Sequence, residues 1–477
     1  MSRLTRRQFV QTSLVAGAGI AIGGTRSSGA VVGSNDTIRV AIAGINGRGK
    51  SHVSELLEQK GVQIVGLVDV DSRTFPSQVK EIKDRTGVEP KLFRDVREAL
   101  DDPNIDALTI ATPNHWHALM TIWACQAGKD VYVEKPCSHN VREGRMAVEV
   151  ARKHQRIVQH GTQGRSSGSW AKVAEIVKSG QLGKLLVSRG LCYKKRDSIG
   201  FKKETNPPAE VDFNLWLGPA AEMAYHANLV PYNWHWFWEL GNGDIGNQGV
   251  HQMDIARWMI PGATLPKSVA SVGGRFGYED QGETPNTQVT VMDFGDTQLI
   301  FEVRGRPCEK YHGEMVGNIL HFEEGIIAGE RFYAKGSKTP GPLPKVEATR
   351  GPGKGHFGNF IEAVRTREQT ALNADILEGH YSSTLCHLAN ISYRLGEATA
   401  FEPHAAEFDK GASLETLTRM EEHLMHDVKL NLKDQKLKVG RKLVVDATKE
   451  AFVNDPAADK LLTREYRQPF AVPEKLV

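Results

Sequence analysis

The chain has 477 residues, of which 60 are lysine or arginine and 57 are aspartate or glutamate, so its formal net charge is +3. This length is too great for one ordinary hydrophobic core, and we therefore expect two domains with appendages. The near balance of charge gives no reason to expect nucleic acid or an anionic membrane as a partner, and the five scattered cysteines suggest neither a disulfide framework nor a zinc site.

The N-terminal residues 1–36 have the pattern of an export signal and linker. Arg6 and Arg7 precede a weakly apolar run over residues 14–22, and small residues follow it. The apolar run is shorter than the roughly 20 residues that a membrane-spanning helix needs. The pattern is typical of a twin-arginine (Tat) signal, which predicts recognition by the Tat export machinery and a periplasmic or otherwise exported location.

The next segment has the order strand, glycine-rich turn, helix, strand and acid. The first β-branched run ends at Gly44, the helix carries its apolar residues on one face up to Gly61, and the second strand closes on Asp69. In a dinucleotide-binding unit, tight glycines let the backbone approach a pyrophosphate at the helix N-terminus, and the acid binds ribose hydroxyls. Gly44 and Asp69 are 69 − 44 = 25 residues apart, close to the expected spacing of about 20.

The glycine pattern departs from G-x-G-x-x-G, because Asn46 stands where the middle glycine is expected and Gly47 follows it. Asp69 has no adjacent arginine, which favours NAD over NADP because a carboxylate repels a 2′-phosphate. Arg73 leaves that choice open. The residues predicted to bind the cofactor in this unit are Gly44, Asn46, Gly47, Arg48, Gly49 and Asp69.

Strand-like and helix-like segments continue to alternate as far as residue 164. The alternation predicts a Rossmann domain over residues 37–164, with a doubly wound parallel sheet whose ligands lie beyond the carboxyl ends of the strands. Polar segments follow three of the predicted strands. The further cofactor-binding residues predicted there are Thr112, Asn114, His117, Glu134, Lys135 and Gln163, although His117 can equally begin the following helix.

Two of these segments carry a family resemblance. The sequence ATPNHWH at residues 111–117, followed by VEKP at residues 133–136, resembles the Gfo/Idh/MocA family of NAD(P)-dependent oxidoreductases. The resemblance extends over nearly all of the chain after the signal, and it implies an enzyme whose catalytic lysine is Lys135. It also implies a second domain that binds the substrate and associates with further copies through an open sheet face, so we expect a homo-oligomer.

Lys135 has the chemistry that this role requires. A lysine beside an oxidised nicotinamide is desolvated and faces a positive ring, and both effects lower the pKa of an ammonium group. Such a lysine can take a hydroxyl proton as a general base while the carbinol hydrogen leaves as hydride. We expect Glu134 to position the lysine or a ribose rather than to react.

After residue 165 the strand-like runs are longer and lack helices between them. That pattern predicts an α+β domain over residues 165–477 with a largely antiparallel sheet, of which about 401–443 is an elaboration. The family resemblance implies that this sheet is open and that the domain binds the substrate and forms oligomers. The aromatic segment at residues 231–238, which includes Trp234, suits either stacking on a sugar ring or core packing. The basic residues at 194–202 are interpreted as a solvated loop.

A polar segment at residues 241–254 carries the remaining candidates. A metal site is not expected, because no second histidine pair lies near His251 and the E-x-x-H type of spacing is absent. The family resemblance instead implies D-x-G-x-H, an acid and a histidine that face the lysine, and here Asn247 replaces the acid. A helix over residues 247–260 would place Asn247 and His251 on one face, with Asp254 one turn further on.

An asparagine can hold a substrate hydroxyl but cannot accept a proton, so proton transfer is left to Lys135 and His251. Asp244, three residues before Asn247, is the nearest acid that could substitute. The predicted catalytic residues are Lys135, His251 and Asn247, and the predicted substrate-binding residues are these three with Trp234 and Asp244.

Three functions compete for this sequence. The leading one is an exported NAD-dependent oxidoreductase that acts on a hydroxyl of a sugar or sugar derivative. The alternative is a redox-neutral glycoside hydrolase or lyase, in which oxidation, elimination, addition and reduction follow one another on tightly bound NAD. An exported enzyme has no nicotinamide pool to recycle against, which favours a cofactor that stays bound. A non-catalytic sugar-binding protein would predict the loss of Lys135, which is present.

Overall fold

The computed structural model describes residues 37–347 and 355–476. Its N-terminal part is built on a six-stranded, wholly parallel sheet in the order β3-β2-β1-β4-β5-β6. The strands are β1 Ile38–Ala43, β2 Val62–Val68, β3 Lys91–Phe93, β4 Ala107–Ile110, β5 Asp130–Val133 and β6 Val158–His160. The helices are α1 Arg48–Leu57, α2 Phe75–Thr86, α3 Val96–Leu100, α4 Asn114–Gln126 and α5 Val141–Lys153. The predicted doubly wound Rossmann sheet is confirmed.

The second sheet is mixed and largely antiparallel, as predicted. Its order is β13-β12-β11-β7-β10-β9-β8-β15-β14, with β16 paired to β8 and to β17, and among the described strands only β7 and β10 pair in parallel within it. The strands are β7 Leu185–Tyr193, β8 Ser268–Gly274, β9 Thr287–Asp293, β10 Gln298–Arg304, β11 Val316–Phe322, β12 Gly325–Ala328, β13 Arg331–Ala334, β14 Glu397–Thr399, β15 Leu437–Val439, β16 Leu443–Asp446 and β17 Ala451–Phe452. The helices are α6 Gly168–Ser179, α7 Phe213–Leu217, α8 Gly243–Gly246, α9 Gly249–Trp258, α10 Gly355–Thr366, α11 Ile376–Arg394, α12 Gly411–His426 and α13 Pro456–Asp459.

Both faces of the second sheet are packed. Helices α9 and α11 lie on the inner face, and α11 also contacts α5 and β6 of the Rossmann domain. On the outer face, Leu417, Met420 and Leu424 of α12 pack on apolar side chains of the central strands such as Val289 and Ile300. The elaboration predicted after residue 400 therefore covers much of the face through which association was expected, and the homo-oligomer stays a prediction.

Segments from the second half of the chain complete the Rossmann core. In α10, Phe357 stacks on Tyr132 of β5 with ring centroids 4.3 Å apart. Near the C-terminus, Phe470 packs against Trp116 of α4 with centroids 5.5 Å apart. Because strands β1, β4 and β5 are buried on both faces, these aromatic rings finish a core that residues 37–164 do not enclose by themselves.

Among the described residues, no helix combines the length and apolarity needed to cross a bilayer. The twin-arginine signal predicted within residues 1–36 lies outside the described residues.

Buried histidines predict a strong acid dependence of stability. Burial lowers the pKa of His160 and His387 to about 3 and that of His356 to about 4, well below the roughly 6.5 of an unfolded histidine. As pH falls below 6.5 the unfolded chain binds protons that the folded chain does not, so the free energy of unfolding decreases towards pH 3–4. We expect the thermal midpoint to fall by about 10 °C or more between pH 7 and pH 4.

Differential scanning calorimetry checks this prediction. Samples returned from acid to pH 7 must regain their midpoint, which separates proton linkage from irreversible aggregation. A midpoint that is constant over this range would contradict the prediction.

Candidate active site

The glycine turn between β1 and α1 forms one end of a cavity. Gly44 has a φ of +78°, and a Cβ there would lie 2.7 Å from the carbonyl oxygen of Ala111. A Cβ on Gly49 would lie 1.8 Å from the Gly44 carbonyl oxygen, so turn and helix approach this closely only without side chains. No described side chain caps the N-terminal end of α1. The cavity is lined here by Gly44, Asn46, Gly47 and Arg48. This uncapped helix end fits the pyrophosphate of a dinucleotide.

The carboxylate of Asp69 lies at the end of β2, where the sequence predicts a ribose-binding acid. Its two oxygens accept hydrogen bonds from the backbone N–H groups of Ile45 and Asp71, each at 2.9 Å. Burial raises the pKa of Asp69, although these bonds oppose the shift. Arg73 is engaged by Asp71, with guanidinium nitrogens 2.7 and 2.8 Å from its oxygens. An arginine already paired with a carboxylate is less able to bind a 2′-phosphate, which favours NAD.

Glu134 is the centre of a buried polar cluster directly after β5. Its Oε1 accepts hydrogen bonds from Arg48 Nε at 2.8 Å, His52 Nε2 at 3.2 Å and Gln163 Nε2 at 3.2 Å. Burial alone would raise the pKa of Glu134, but the His52 hydrogen bond and the charges of Arg48 and Lys135 hold it well below its ordinary value. Glu134 therefore acts as an ionised acceptor that positions its neighbours. Sequence reasoning missed His52, whose only signal is its place one turn after Arg48.

Lys135 reaches from the Rossmann domain to the polar segment of the second domain. Its Nζ donates to the backbone carbonyl oxygen of Asn247 at 2.8 Å and to Asn247 Oδ1 at 3.3 Å. Burial lowers the pKa of Lys135, and nearby arginine and lysine charges lower it further, against the attraction of Glu134. The lowered pKa of Lys135 agrees with the expectation from the sequence. Burial and the charges of the protein's own side chains are sufficient to lower it.

Asn247 and His251 lie together on the wall opposite the glycine turn, but not on one helix. Helix α8 ends at Gly246 and α9 begins at Gly249, so the predicted helix over 247–260 is wrong at its beginning. The glycines here allow a break in which Asn247 has φ −88° and ψ −85°. Burial lowers the pKa of His251 to about 3, and Lys135 adds to the shift. Within the described part of the chain, the imidazole of His251 has no hydrogen-bond partner, so it can bind a substrate hydroxyl.

The two acids of this segment, Asp244 and Asp254, each form an ion pair with an arginine. Asp254 points away from the cavity and accepts hydrogen bonds from Arg165 Nε at 2.8 and 2.9 Å and from Ser382 Oγ at 2.7 Å. Asp244 has a side chain only 2 % exposed, and Arg196 Nε lies 2.9 and 3.0 Å from its oxygens. Asp244 therefore lies near the site but is not a free acid that could take over proton transfer from the missing aspartate.

Arg196 also corrects the interpretation of residues 194–202 as a solvated loop. Its side chain is 14 % exposed and stacks over the Trp236 ring at 5.0 Å. No sequence pattern predicts this placement, because the partner of Arg196, Asp244, is 48 residues away along the chain. Lys194 and Lys202 are exposed, as expected of a loop.

Residues 194–240 form a lid over the cavity. The lid has an apolar core of its own and joins the Rossmann domain beside the loop after β2. Asp71 pairs with Val211 in a β-bridge, and the backbone N–H of Asp212 donates to the Val70 carbonyl oxygen at 3.0 Å. Arg94 Nη2 adds a hydrogen bond to the Val70 carbonyl at 3.1 Å. A ligand held between Asp69 and the glycine turn is therefore covered by the lid.

The lid is also fixed to α4. Trp116 Nε1 donates to the carbonyl oxygens of Leu215 and Trp216, both at 3.1 Å. Gly218 approaches Trp116 so closely that a Cβ there would lie 2.2 Å from the indole. Trp234 lines the cavity but is 7 % exposed and stacks on His235 with centroids 3.6 Å apart, so packing accounts for most of its surface.

The predicted residues after β4 all line the cavity and hold its two walls together. Asn114 Nδ2 donates to Asn242 Oδ1 at 3.1 Å, which connects the Rossmann domain to the polar segment. His117 lies between the carbonyl oxygens of Pro136 at 2.6 Å and Thr112 at 2.7 Å. His117 begins no helix, since α4 starts at Asn114, and its ring fixes the loop that carries Lys135.

The cavity brings these groups into one space of about 480 Å³, within the usual range for small-molecule sites. Its glycine turn and Asp69 lie at one end, and Lys135, Asn247 and His251 lie along the same cavity. Among the described residues, no group of three or more histidine, cysteine, aspartate or glutamate side chains could hold a metal ion. A covered dinucleotide groove that leads to a half-buried lysine defines an oxidoreductase with an NAD-binding Rossmann domain.

The chain belongs to the GFO/IDH/MocA oxidoreductase family. The family's NAD-binding Rossmann fold matches residues 38–162, and its C-terminal alpha/beta domain matches residues 170–303 and 312–422.

The chain is similar in sequence to a family 109 glycosyl hydrolase protein and to an inositol dehydrogenase. A "Glycosyl hydrolase family 109 protein" of Shewanella pealeana is 28% identical over 207 residues, which is 39% of this chain and 45% of the relative. The "Myo-inositol 2-dehydrogenase" of Thermotoga maritima is 28% identical over 152 residues, 32% of this chain and 44% of the relative. The matched regions thus span less than half of these relatives.

Solved structures show the same fold. The WlbA dehydrogenase from Bordetella pertussis, in complex with NADH and UDP-GlcNAcA, aligns with a TM-score of 0.56 at 18% identity over 75% of this chain and 97% of its own. A levoglucosan dehydrogenase in complex with NADH aligns with a TM-score of 0.54 at 18% identity over 74% of this chain and 96% of its own.

The contact between Gly218 and Trp116 predicts how the lid retains a ligand. Gly218→Ala places a methyl group against the indole, and overpacking of this kind costs about 1–3 kcal/mol, which we expect to loosen the lid. NADH should leave the purified variant at least about 10-fold faster, as measured by its fluorescence on dilution.

Gly262→Ala is the matched control. Gly262 also has a positive φ, +72°, but a Cβ there meets nothing within 4 Å, so this variant has the backbone strain without the clash. Equal NADH dissociation rates for both variants and the wild type would contradict the role of this contact.

Proposed function

We propose that this protein is an NAD-dependent oxidoreductase that acts on a secondary hydroxyl of a sugar or sugar derivative. The observation that carries the proposal is the amine of Lys135, which is half-buried in the cavity and, among the described residues, donates only to the neutral oxygens of Asn247. An amine without a carboxylate partner at hydrogen-bond distance, and with a lowered pKa, is suited to be a general base.

NAD, when bound, supplies the hydride acceptor for the carbinol carbon. The chain's own residues supply the rest of the chemistry. A neutral Lys135 keeps its N–H bonds to the Asn247 oxygens while its lone pair faces the substrate hydroxyl and takes the proton at Nζ. His251, whose ring is free of protein partners among the described residues, holds a second substrate oxygen or shares that proton. The lid excludes water from this step, which strengthens each of these interactions.

A sugar substrate is supported by the polar groups that converge on the apolar lid. Lys135, Asn247 and His251 offer donors and acceptors at three points, and the aromatic residues Trp216 and Trp234 form part of the opposite wall. Carbohydrates need such a combination of hydroxyl-directed polar groups and ring-sized apolar surfaces. Relatives named for inositol and levoglucosan oxidation support the same substrate class.

The lid favours a second candidate, the redox-neutral cleavage of a glycoside. Because backbone hydrogen bonds near Asp71 close the lid over the dinucleotide end, exchange of the cofactor in every turnover requires these bonds to open. A retained cofactor suits a reaction that returns the hydride to the same molecule. Relatives named as family 109 glycosyl hydrolases support this alternative.

One experiment separates the two candidates. The protein is purified without added cofactor, and the reduced-nicotinamide absorbance band is recorded before and after adding free sugars and p-nitrophenyl glycosides. Growth of the band with a free sugar supports net oxidation, and nitrophenol release without lasting growth supports the redox-neutral reaction. Neither signal with any sugar would contradict both.

The lysine variant tests the mechanism in the same assay. Lys135→Gln removes the base while keeping a polar side chain, so turnover should fall about 10²–10⁴-fold. Binding of NADH should change little, because the glycine turn and Asp69 are untouched. The matched control Lys203→Gln, in the exposed part of the lid, should keep full activity. Wild-type turnover in Lys135→Gln would overturn the assignment of the base.

We also propose export through the twin-arginine pathway, on the grounds of Arg6 and Arg7 ahead of a short apolar run. This pathway moves folded proteins, and a lid that closes over its cofactor requires loading before export. Arg6→Lys with Arg7→Lys keeps the charge but removes the guanidinium pair, so the protein should stay in the cytoplasmic fraction of its host. Equal amounts of wild-type and variant protein in the exported fraction would contradict the proposal.

A further inference from the structure

Tyr232 of the lid is a cavity residue that the sequence did not single out. Its side chain is 48 % exposed, and it lines the cavity together with Lys135, Asn247 and His251. Two hydrogen bonds reach its hydroxyl oxygen, from Asn247 Nδ2 at 3.4 Å and from Arg196 Nη1 at 3.5 Å. These contacts decide which way the hydroxyl hydrogen can point.

The direction of the first hydrogen bond follows from Lys135. Lys135 in its ammonium form has three donors and no acceptor, so the atom of Asn247 that lies 3.3 Å from Lys135 Nζ is the amide oxygen. The amide nitrogen is therefore turned towards Tyr232, and an amide nitrogen also only donates. The orientation of the Asn247 side chain is thus fixed by the lysine and is not free to flip.

The second hydrogen bond is fixed in the same sense. A guanidinium has no acceptor atom, so Arg196 can only donate to the Tyr232 oxygen. Arg196 is held in place by Asp244, which accepts its Nε and Nη2 groups. The Tyr232 oxygen therefore receives two hydrogen bonds, which use both of its lone pairs, and it must direct its own hydrogen elsewhere.

The described residues offer no acceptor for that hydrogen, and the hydroxyl faces the cavity. We propose that Tyr232 donates its hydroxyl hydrogen to an oxygen of the substrate, and that Asn247 sets this direction by presenting its amide nitrogen to the tyrosine. The inference rests on the proposed function, since it takes the substrate to be a polyhydroxylated ring. It names a specificity determinant on the lid, opposite the lysine.

The inference gives the asparagine at position 247 a physical role. An aspartate there would present an acceptor oxygen to Tyr232 in place of a donor nitrogen. The tyrosine would then donate to that carboxylate, and its hydrogen would no longer be available to a substrate. At this position the family's acid would accept a hydrogen bond from Tyr232, whereas this chain's asparagine donates one to it. Only the asparagine therefore leaves the hydroxyl hydrogen of Tyr232 available to the cavity.

A double-mutant cycle tests the inference. The variants are Tyr232→Phe, which keeps the ring and loses the hydroxyl, Asn247→Asp, and the two together. Tyr225→Phe is the matched control, because Tyr225 is a buried tyrosine of the lid that packs on Phe213 and does not line the cavity. The readout is calorimetric binding of a panel of myo-inositol, levoglucosan, L-sorbose and common hexoses to the NAD-saturated protein.

We expect Tyr232→Phe to weaken the best-binding panel member about 3- to 10-fold, as for one hydrogen bond. In the Asn247→Asp background, the same change should alter affinity by less than about 2-fold, because the hydroxyl is already diverted. Tyr225→Phe should bind as the wild type does. No loss in Tyr232→Phe, or an equal loss in both backgrounds, would overturn the inference.

The same measurements distinguish this inference from the proposed function. If panel members bind with the expected non-additive pattern but no hydride transfer follows, the inference stands and the proposed oxidation fails. If the reduced-nicotinamide band grows normally but Tyr232→Phe binds as tightly as the wild type, the inference fails and the oxidation stands. A wild-type protein that binds no panel member overturns the inference and the polyol substrate together.

Discussion

The bond between Lys135 Nζ and the Asn247 carbonyl oxygen is the contact around which the site is arranged. It joins the loop after β5 to the break between α8 and α9, and so it fixes the distance between the two walls of the cavity. The oxygen is neutral, so the bond orients the amine without the strong stabilisation of its charge that a carboxylate would give. Burial can then lower the pKa of the lysine, which a nearby salt bridge would oppose.

The charges around Lys135 are arranged so that the pKa of its amine stays low. On the Rossmann side, Glu134 accepts hydrogen bonds from Arg48 and His52, which limits how far its charge can stabilise the ammonium form of Lys135. On the other side, Asp244 is occupied by Arg196. Both of these acids are thus paired with an arginine, and those arginines add positive potential around the amine. Arg196 also donates a hydrogen bond to the Tyr232 hydroxyl oxygen, so its pairing with Asp244 affects both the lysine and the lid.

The lid extends from the dinucleotide end of the cavity to the lysine. Its backbone hydrogen bonds lie beside Asp71, at the dinucleotide end, whereas Tyr232 lines the same cavity as the lysine. One segment therefore covers the cofactor and completes the substrate site. The close approach of Gly218 to Trp116 shows that the lid is packed as tightly as a core element.

The sequence by itself determined the elements whose signals are local. The strand, the glycine turn and Asp69 fall within one β–α–β unit, so periodicity and spacing were sufficient to predict them. Periodicity also placed Lys135 directly after a strand, and the family resemblance implied its catalytic role. The family resemblance pointed to Asn247 and His251, although the glycines around Asn247 interrupt the helix on which both were expected to lie. Only the tertiary structure decided the partners of Arg196, His52 and Tyr232, because hydrogen bonds between residues far apart in sequence leave no periodic trace in it.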